Sequence, residues 1–286
     1  MQFFVQSSLH YQVSGPSTLL CSLKCVKTPS QEVLNESLST SRDTYRSDMS
    51  LGLEENRFTL FETSEAGPLS IFYEATASTS VQTVPFAEIN NQDVHTLDPA
   101  VIPYLFPSRY APADRMRAVA NDHFGGIQGH LDQALAIEDW LNKHIAYAPG
   151  SSKEQYSAME TYENRSGVCR DFAHLGIALC RALSIPARYV TVYAFQLQPQ
   201  DFHAVFEVYV GGRWYLIDGT RIAPLNGMIR IAQGRDAADA AVATLFGNIA
   251  GTGIEVNTLV GKDETEVFQP LNRADLRNAG NALCLG

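Results

Sequence analysis

Basic residues are scarce in this chain of 286 residues, which has 21 Lys and Arg against 31 Asp and Glu and a formal net charge of -10. Nucleic acids and anionic membrane surfaces bind basic patches, so we expect neither as a partner. Hydrophobic residues make up 45% of the chain, which predicts a soluble globular protein with a substantial core.

Cysteines are also few and scattered: Cys21, Cys25, Cys169, Cys180 and Cys284. No C-x-x-C pair occurs, which argues against a zinc site and against a disulfide framework. No loop has the spacing of an EF-hand either, so we expect no metal ion and no cofactor.

Long apolar runs are absent. No run approaches the ~18 apolar residues of a membrane-spanning helix. The first six residues lack the basic and apolar regions of a secretory signal. We therefore expect a cytoplasmic protein that does not bind membranes.

Short runs rich in β-branched and aromatic residues fill the first hundred positions. Turn clusters such as Ser14-Gly15-Pro16-Ser17 separate them, and this spacing predicts an all-β sandwich domain over residues 1–100. The prolines that follow predict an extended linker over residues 101–112. The predicted strands of the first domain cover residues 3–13, 19–26, 32–37, 56–62 and 69–77.

Helical patterns begin after this linker. Pro112 and Gly125 bracket one predicted helix, and apolar residues at spacings of three and four predict a second over residues 130–144. Strand patterns follow from residue 187, so we expect an α+β domain over residues 113–260. The polar segment over residues 261–286 predicts a partly disordered tail.

Cys169 stands where a small-residue turn, Ser166-Gly167, meets a helix that is apolar nearly all round. A helix of that kind is central and buried. Its first backbone N–H groups have no partner within the helix, and the helix dipole places partial positive charge there. Both effects favour a thiolate, which is the nucleophilic form of cysteine.

His203 and Asp218 lie downstream on two strands that a Gly211-Gly212 turn joins. Glycine pairs suit the positive φ angles of a tight hairpin turn. If those glycines form the loop, His203 and Asp218 become diagonal neighbours on one face, about 7 Å apart between Cβ atoms. Cys169, His203 and Asp218 are therefore a candidate catalytic triad, with Asp218 orienting the imidazole.

An oxyanion hole needs donors beside the thiol. The Cys169 amide is the natural first donor, because it lies at a helix start. Gln155 and Tyr156 are candidates for the second donor, and Val168 is expected to border the cleft. Two further helix residues are expected to support the site: Asp171 as an early-helix charge and His174 as a buried histidine behind it.

These segments resemble the transglutaminase-like superfamily, a branch of the papain-like fold. The resemblance rests on Arg165-Ser166-Gly167-Val168-Cys169-Arg170-Asp171-Phe172-Ala173-His174, on Phe202-His203-Ala204 and on Trp214-Tyr215-Leu216-Ile217-Asp218. It implies Cys169 as nucleophile, His203 as base and Asp218 as orienting group. The first hundred residues resemble the N-terminal domain of bacterial members. Val205 and Gly219 depart from the residues, Trp and Pro, that the family often has there.

Two functional classes remain open. The first is an enzyme for thiol-dependent acyl transfer or hydrolysis at a peptide or carboxamide carbonyl, with an amine as the co-substrate if it crosslinks. The second is a protein-binding or peptide-binding module that keeps the fold without turnover. Because all three triad residues are present, the sequence favours the enzyme.

Overall fold

The structure is a computed structural model that describes residues 1–51 and 56–285. Strands in the first half are β1 (Gln2–Cys21), β2 (Gln31–Thr40), β3 (Tyr45–Leu51), β4 (Asn56–Thr63), β5 (Gly67–Thr79) and β6 (Gln82–Pro85). Those that follow are β7 (Ala146–Tyr147), β8 (Ser166–Gly167), β9 (Ala187–Ala194), β10 (Phe202–Val210), β11 (Arg213–Ile217), β12 (Met228–Gly234), β13 (Ala243–Val260) and β14 (Asn281–Cys284). The helices are α1 (Ala113–Phe124), α2 (His130–His144), α3 (Ala158–Asn164), α4 (Cys169–Ala182), α5 (Ala237–Ala240) and α6 (Arg273–Asn278).

The N-terminal domain is a β domain, as predicted, and its sheet has the strand order β2-β5-β1-β4-β3. The predicted break after Val13 is wrong, because β1 runs on through the Ser14–Ser17 cluster with only a shift in register. The strand changes partner there: Val13 pairs with Gly67 on β5, and Ser17 pairs with Thr63 on β4. A bulge of this kind bends a strand without ending it.

The two halves of this sheet fold back on each other. β2 and β4 are not neighbours in the strand order, yet Glu36 Oε1 on β2 lies 2.5 Å from Arg57 Nη2 on β4. The layers that the sequence predicts are therefore two parts of one bent sheet.

β13 also belongs to this sheet, although the sequence assigned residues 243–260 to the second domain. It pairs with β1 along nearly its whole length, from Phe3 opposite Val260 to Cys21 opposite Ala243. Strand pairing of this kind depends on contacts between distant parts of the chain, which local patterns do not report.

The second domain places α4 against a sheet of order β11-β10-β9-β12. α4 is buried along most of its length, as its apolar circumference predicts. The close approach of α4 to β10 depends on Gly176, where a Cβ atom would lie 2.4 Å from the ring of Phe206. This contact sets the spacing between the helix that begins at Cys169 and the strand that carries His203.

The C-terminal segment is ordered, which corrects the prediction of a partly disordered tail. α6 and β14 lie within it, and β14 pairs with β6. Leu276 and Leu283 are buried, and Arg277 on α6 binds Asp139 on α2 with 2.6 Å between Nη1 and Oδ2. Ion pairs and a few apolar anchors hold a segment whose composition is mostly polar.

Candidate active site

Cys169 is the first residue of α4 and is half-buried. The turn before it is held by parallel pairing of β7 with β8, in which Tyr147 lies opposite Gly167. Gly167 is required by close packing, since a Cβ atom there would lie 2.6 Å from the Cβ atom of Asp171. The thiol therefore sits on a rigid helix start rather than on a loose loop.

Asp171 holds the start of α4 in place and also occupies the Val168 amide, which is therefore not available as an oxyanion donor. Its Oδ2 atom accepts a hydrogen bond from the Val168 amide at 2.9 Å, and its Oδ1 atom accepts one from the Ser152 hydroxyl at 2.9 Å. The Val168 amide is thus occupied. The Cys169 amide donates to no protein acceptor within residues 1–51 and 56–285, so it remains available to an oxyanion.

The hairpin has the register that the sequence predicts. Gly211 and Gly212 have φ angles of 57° and 85°, and Val210 pairs with Arg213. His203 Nε2 lies 3.0 Å from Asp218 Oδ2, and both side chains are buried. The diagonal placement therefore brings the imidazole and the carboxylate into direct contact.

The charge state of His203 follows from opposing effects. Burial lowers the pKa of the His203 imidazole, but the charge of Asp218, the hydrogen bond that His203 donates to Asp218 and the neighbouring Cys169 outweigh it, and the pKa rises to about 10. Nε2 is committed to Asp218, while Nδ1 has no hydrogen-bond partner in the part of the chain that the structure describes. Nδ1 is therefore the nitrogen left to exchange a proton with Cys169.

Asp218 is oriented by neighbours on both sides. Its Oδ1 atom accepts hydrogen bonds from the Thr220 amide at 2.9 Å and from the Thr220 hydroxyl at 2.6 Å. Burial raises the pKa of Asp218, but the charge of His203 and the bonds from His203 and Thr220 prevail and lower it below the ordinary value. The carboxylate is thus held ionised with one oxygen aimed at His203.

Glu138 and Arg273 support Asp218 from behind, and the sequence analysis did not single out either residue. Glu138 Oε1 accepts a hydrogen bond from the Asp218 amide at 3.1 Å, and Glu138 Oε2 lies 2.6 Å from Arg273 Nε. Arg273 also donates from Nη2 to the Leu216 carbonyl at 2.6 Å. The C-terminal segment thereby fixes the end of the strand that leads to Asp218. Only the charged residue at position 138 in an otherwise apolar helix stripe could have hinted at it.

Tyr147 is a second residue that sequence reasoning missed. Burial and then the charges of Cys169, Asp201 and Asp218 together raise the pKa of the Tyr147 phenol to about 12. The phenol is therefore a protonated donor beside the thiol at neutral pH. Its ring packs against Phe172, with 6.0 Å between the ring centroids. Tyr147 reaches the site through the pairing of β7 with β8, which no local pattern revealed.

Gln155 and Tyr156 do not line the cleft that contains Cys169. Gln155 is exposed and its carbonyl accepts a hydrogen bond from Arg109 at 3.3 Å, while Tyr156 lies under Lys153. Neither borders the cleft that holds Cys169, where Glu154 stands instead. Their roles as second donor therefore stay predictions, and the electrostatic influence of Cys169 on the Tyr147 phenol makes Tyr147 a further candidate.

His174 lies behind the site, as expected. Its ring stacks between Tyr110 and Tyr189, with centroid distances of 5.0 Å and 5.1 Å. Burial, together with nearby arginines, holds the pKa of His174 well below its ordinary value, so the ring is neutral. Its Nε2 atom accepts a hydrogen bond from the Ala237 amide at 3.1 Å, which ties α4 to the far side of the cleft.

The cleft between the two domains has a volume of about 650 Å³. Cys169 and His203 line one side, with Tyr110, Tyr189 and Phe202 beside them. Much of the remaining lining comes from the segment between residues 237 and 245, whose small residues we call the alanine wall: Ala237, Ala238, Ala240, Ala241 and Ala243. Because these side chains are short, an extended polypeptide could approach the backbone of this segment closely.

Within residues 1–51 and 56–285, no three His, Cys, Asp or Glu side chains are grouped so that they could hold a metal ion. The same residues contain no helix long and apolar enough to cross a membrane. The expectations of metal independence, of no cofactor and of a cytoplasmic location stay predictions.

The α+β core, with a cysteine at the start of its central helix, is that of a papain-like protein. Residues 117–219 match the transglutaminase-like superfamily, and residues 1–100 match the bacterial transglutaminase N-terminal domain. The chain belongs to the transglutaminase-like superfamily.

One solved structure is similar over nearly the whole chain. It is described as a "Putative Cysteine Protease" from Cytophaga hutchinsonii and shares 42% sequence identity, with a TM-score of 0.94, over 99% of this chain and 97% of its own. The periplasmic domain of TgpA from Pseudomonas aeruginosa, bound to ethylmercury, has 19% identity and a TM-score of 0.39, over 75% of this chain and 76% of its own.

A curated relative matches a smaller share. An uncharacterized protein of Mycobacterium leprae is 28% identical over 160 residues, which are 52% of this chain and 56% of that protein. This chain therefore spans about half the length of that relative. The family and the Cytophaga hutchinsonii structure together support a general thiol-dependent enzymatic activity.

Proposed function

We propose that the protein catalyses acyl transfer from a peptide or carboxamide carbonyl to Cys169, followed by hydrolysis of the thioester. The observation that carries this proposal is the setting of His203. Its Nε2 atom is bound to Asp218, its Nδ1 atom has no partner in the described chain, and it shares a cleft with the thiol of a helix-start cysteine. A buried imidazole left with one free nitrogen beside a nucleophile has the arrangement of a general base.

In the proposed reaction His203 is an imidazolium at neutral pH, because its pKa lies at about 10, and its positive charge favours a thiolate at the neighbouring Cys169 as the nucleophile. Sγ attacks the carbonyl carbon and forms a tetrahedral intermediate. The Cys169 amide and the Tyr147 hydroxyl donate hydrogen bonds to its oxyanion. His203 gives the Nδ1 proton to the leaving nitrogen, so the C–N bond breaks and an amine or ammonia departs.

The second half returns the enzyme to its resting state. A water molecule loses a proton to His203 Nδ1 and attacks the thioester, and the C–S bond then breaks to release a carboxylic acid. Asp218 stays ionised throughout and stabilises the imidazolium when it forms. If an amine replaces water, the product is an amide and the enzyme acts as a transglutaminase.

The similarity to a structure described as a cysteine protease supports water as the acceptor. The test is to incubate the enzyme with an unfolded protein and with a fluorescent primary amine. New amino termini indicate peptide hydrolysis, released ammonia without amine incorporation indicates deamidation, and labelled protein indicates transglutamination. The Cys169→Ala variant is the control. If wild type and Cys169→Ala give equal signals in all three assays, the proposed activity is wrong.

A further inference from the structure

β13 is an edge strand of unusual length and exposure. It extends over 18 residues, from Ala243 to Val260, and within the described chain it pairs with β1 alone. It contains one charged residue, Glu255, and no proline. Proteins commonly protect such edges with charges, proline or a covering segment, because an open edge recruits another extended chain.

The outward-facing backbone groups of β13 follow from its register. The Ser22 amide donates to the Val242 carbonyl at 2.8 Å, so this pair is hydrogen-bonded across the ladder. In an antiparallel ladder such pairs alternate with pairs whose N–H and C=O groups point away. Ala243, opposite Cys21, and Leu245, opposite Leu19, therefore direct their N–H and C=O groups away from β1.

These two residues lie where the edge meets the active-site cleft. Ala243 and Leu245 line the same cleft as Cys169 and His203. Their backbone groups make no hydrogen bond outside the β1 ladder in the part of the chain that the structure describes. The far end of the same edge is covered, since the Thr258 amide donates to Gln200 Oε1 at 3.1 Å. The edge is thus open at its catalytic end.

The alanine wall leaves room for a second backbone at this edge. Two hydrogen bonds hold this wall in position. The Ala237 amide donates to His174 Nε2, and the Ala240 carbonyl accepts from Thr191 Oγ1 at 2.7 Å. Strands pair at about 4.8 Å between backbones. Methyl side chains permit that approach along this part of the cleft lining.

We propose that the substrate is an extended polypeptide that adds to β13 as a further strand, bonded to the backbone of Ala243 and Leu245, and that this pairing brings its carbonyl group to Cys169. The inference rests on the proposed function for the reaction at the thiol, but not for the pairing itself. Main-chain pairing supplies affinity without requiring one sequence. It selects against folded domains and small isolated amides, which present no free strand.

Amide hydrogen exchange tests the pairing without turnover. We would add reduced, carboxymethylated α-lactalbumin, an unfolded chain, to the Cys169→Ala variant and follow exchange by NMR. The amides of Ala243 and Leu245 should slow at least about tenfold, whereas that of Thr244, which points to β1, should not change. If the unfolded chain binds and both outward amides exchange as before, the proposal is overturned.

A kinetic comparison uses two matched variants of the same strand. Ala243→Pro removes an outward N–H at the first residue of β13, a position that tolerates proline. Ile254→Pro removes an outward N–H at a site about 36 Å along the strand, well away from the cleft. The measured quantity is kcat/KM for carboxymethylated α-lactalbumin divided by kcat/KM for a blocked glutaminylglycine dipeptide.

Ala243→Pro should lower this ratio about threefold to tenfold, as expected for one lost hydrogen bond. Ile254→Pro should leave it unchanged. An unchanged ratio in Ala243→Pro, or equal losses in both variants, overturns the proposal. If the dipeptide is turned over but the unfolded chain neither binds nor reacts, the pairing is wrong and the proposed function stands. If the outward amides are protected but neither substrate reacts, the pairing stands and the proposed function fails.

Discussion

Replacing Asp218 by Asn tests whether the charge of this residue keeps His203 protonated. Asn has nearly the same size and still accepts hydrogen bonds from Thr220, so the fold around position 218 should persist. The negative charge is lost, however, and the amide group turned towards Nε2 becomes a donor. His203 must then carry its proton on Nδ1, the nitrogen that should accept one.

The magnitude follows from the pKa of His203. The pKa of His203 rises from 6.5 to about 10. This means that the folded protein stabilises the imidazolium, relative to the neutral ring, by about 5 kcal/mol more than the unfolded chain does. The charge of Asp218 and its hydrogen bond are the two largest effects that favour the charged form, so in Asp218→Asn we expect burial to prevail and the pKa of His203 to fall below 6.5. The imidazole becomes neutral at pH 7, and kcat should fall by about 10³–10⁴-fold.

The sign of the pH dependence is also fixed. A raised pKa stabilises the fold fully below about pH 6.5, and this stabilisation is lost as the pH rises through about 10. The free energy of unfolding of wild type should therefore exceed that of Asp218→Asn most at pH 6 to 6.5, and this difference should shrink as the pH rises from about 6.5 to about 10. The variant should also lose stability as the pH falls below about 6.5, because its buried neutral His203 must then gain a proton.

Two measurements check this prediction. Nitrogen NMR of the His203 ring gives its pKa and tautomer, and iodoacetamide alkylation between pH 5 and pH 8 gives the reactivity of Cys169, with Cys284 as an internal reference. Asp201→Asn is the matched control, since Asp201 is a carboxylate close enough to interact with the charge of His203 but makes no hydrogen bond to the ring. If the His203 titration or the alkylation rate below pH 7 is the same in Asp218→Asn and wild type, the ion-pair mechanism is refuted.

Three further predictions concern other parts of the site. Cys169→Ala should abolish turnover and leave the urea midpoint unchanged, because a half-buried thiol at a helix start is removed; any residual turnover of substrate would point to another nucleophile. Tyr147→Phe should lower kcat about a hundredfold with little change in KM, as for one lost oxyanion donor, and a kcat equal to wild type would exclude that role. Arg273→Met should cost about 2 kcal/mol in urea unfolding, because it removes the nearer cation from buried Glu138 and leaves Arg221, partly exposed and 3.4 Å away. Arg277→Met, which breaks a partly exposed pair, should cost less than about 1 kcal/mol, and equal losses would contradict the ranking.

The sequence determined the elements of the site because their signals are local. The Gly211-Gly212 turn set the register of the hairpin. Because side chains alternate between the two faces of a strand, that register places His203 and Asp218 on the same face. The apolar circumference of α4 likewise identified it as a buried helix, with Cys169 at its first residue.

Tertiary structure decided what lies around those elements, because pairing between distant segments leaves no periodic trace in either one. β13 joined the sheet of β1, Arg273 reached Glu138 behind Asp218, and Tyr147 reached the thiol through the pairing of β7 with β8. The C-terminal segment is polar and so is predicted to be a solvated tail, because its sequence does not show that Arg273 neutralises the buried charge of Glu138. The proximity of His203 to Asp218 and the helix-start position of Cys169 were therefore predictable from the chain, whereas the residues that support them and the open strand edge beside them are set by the tertiary structure.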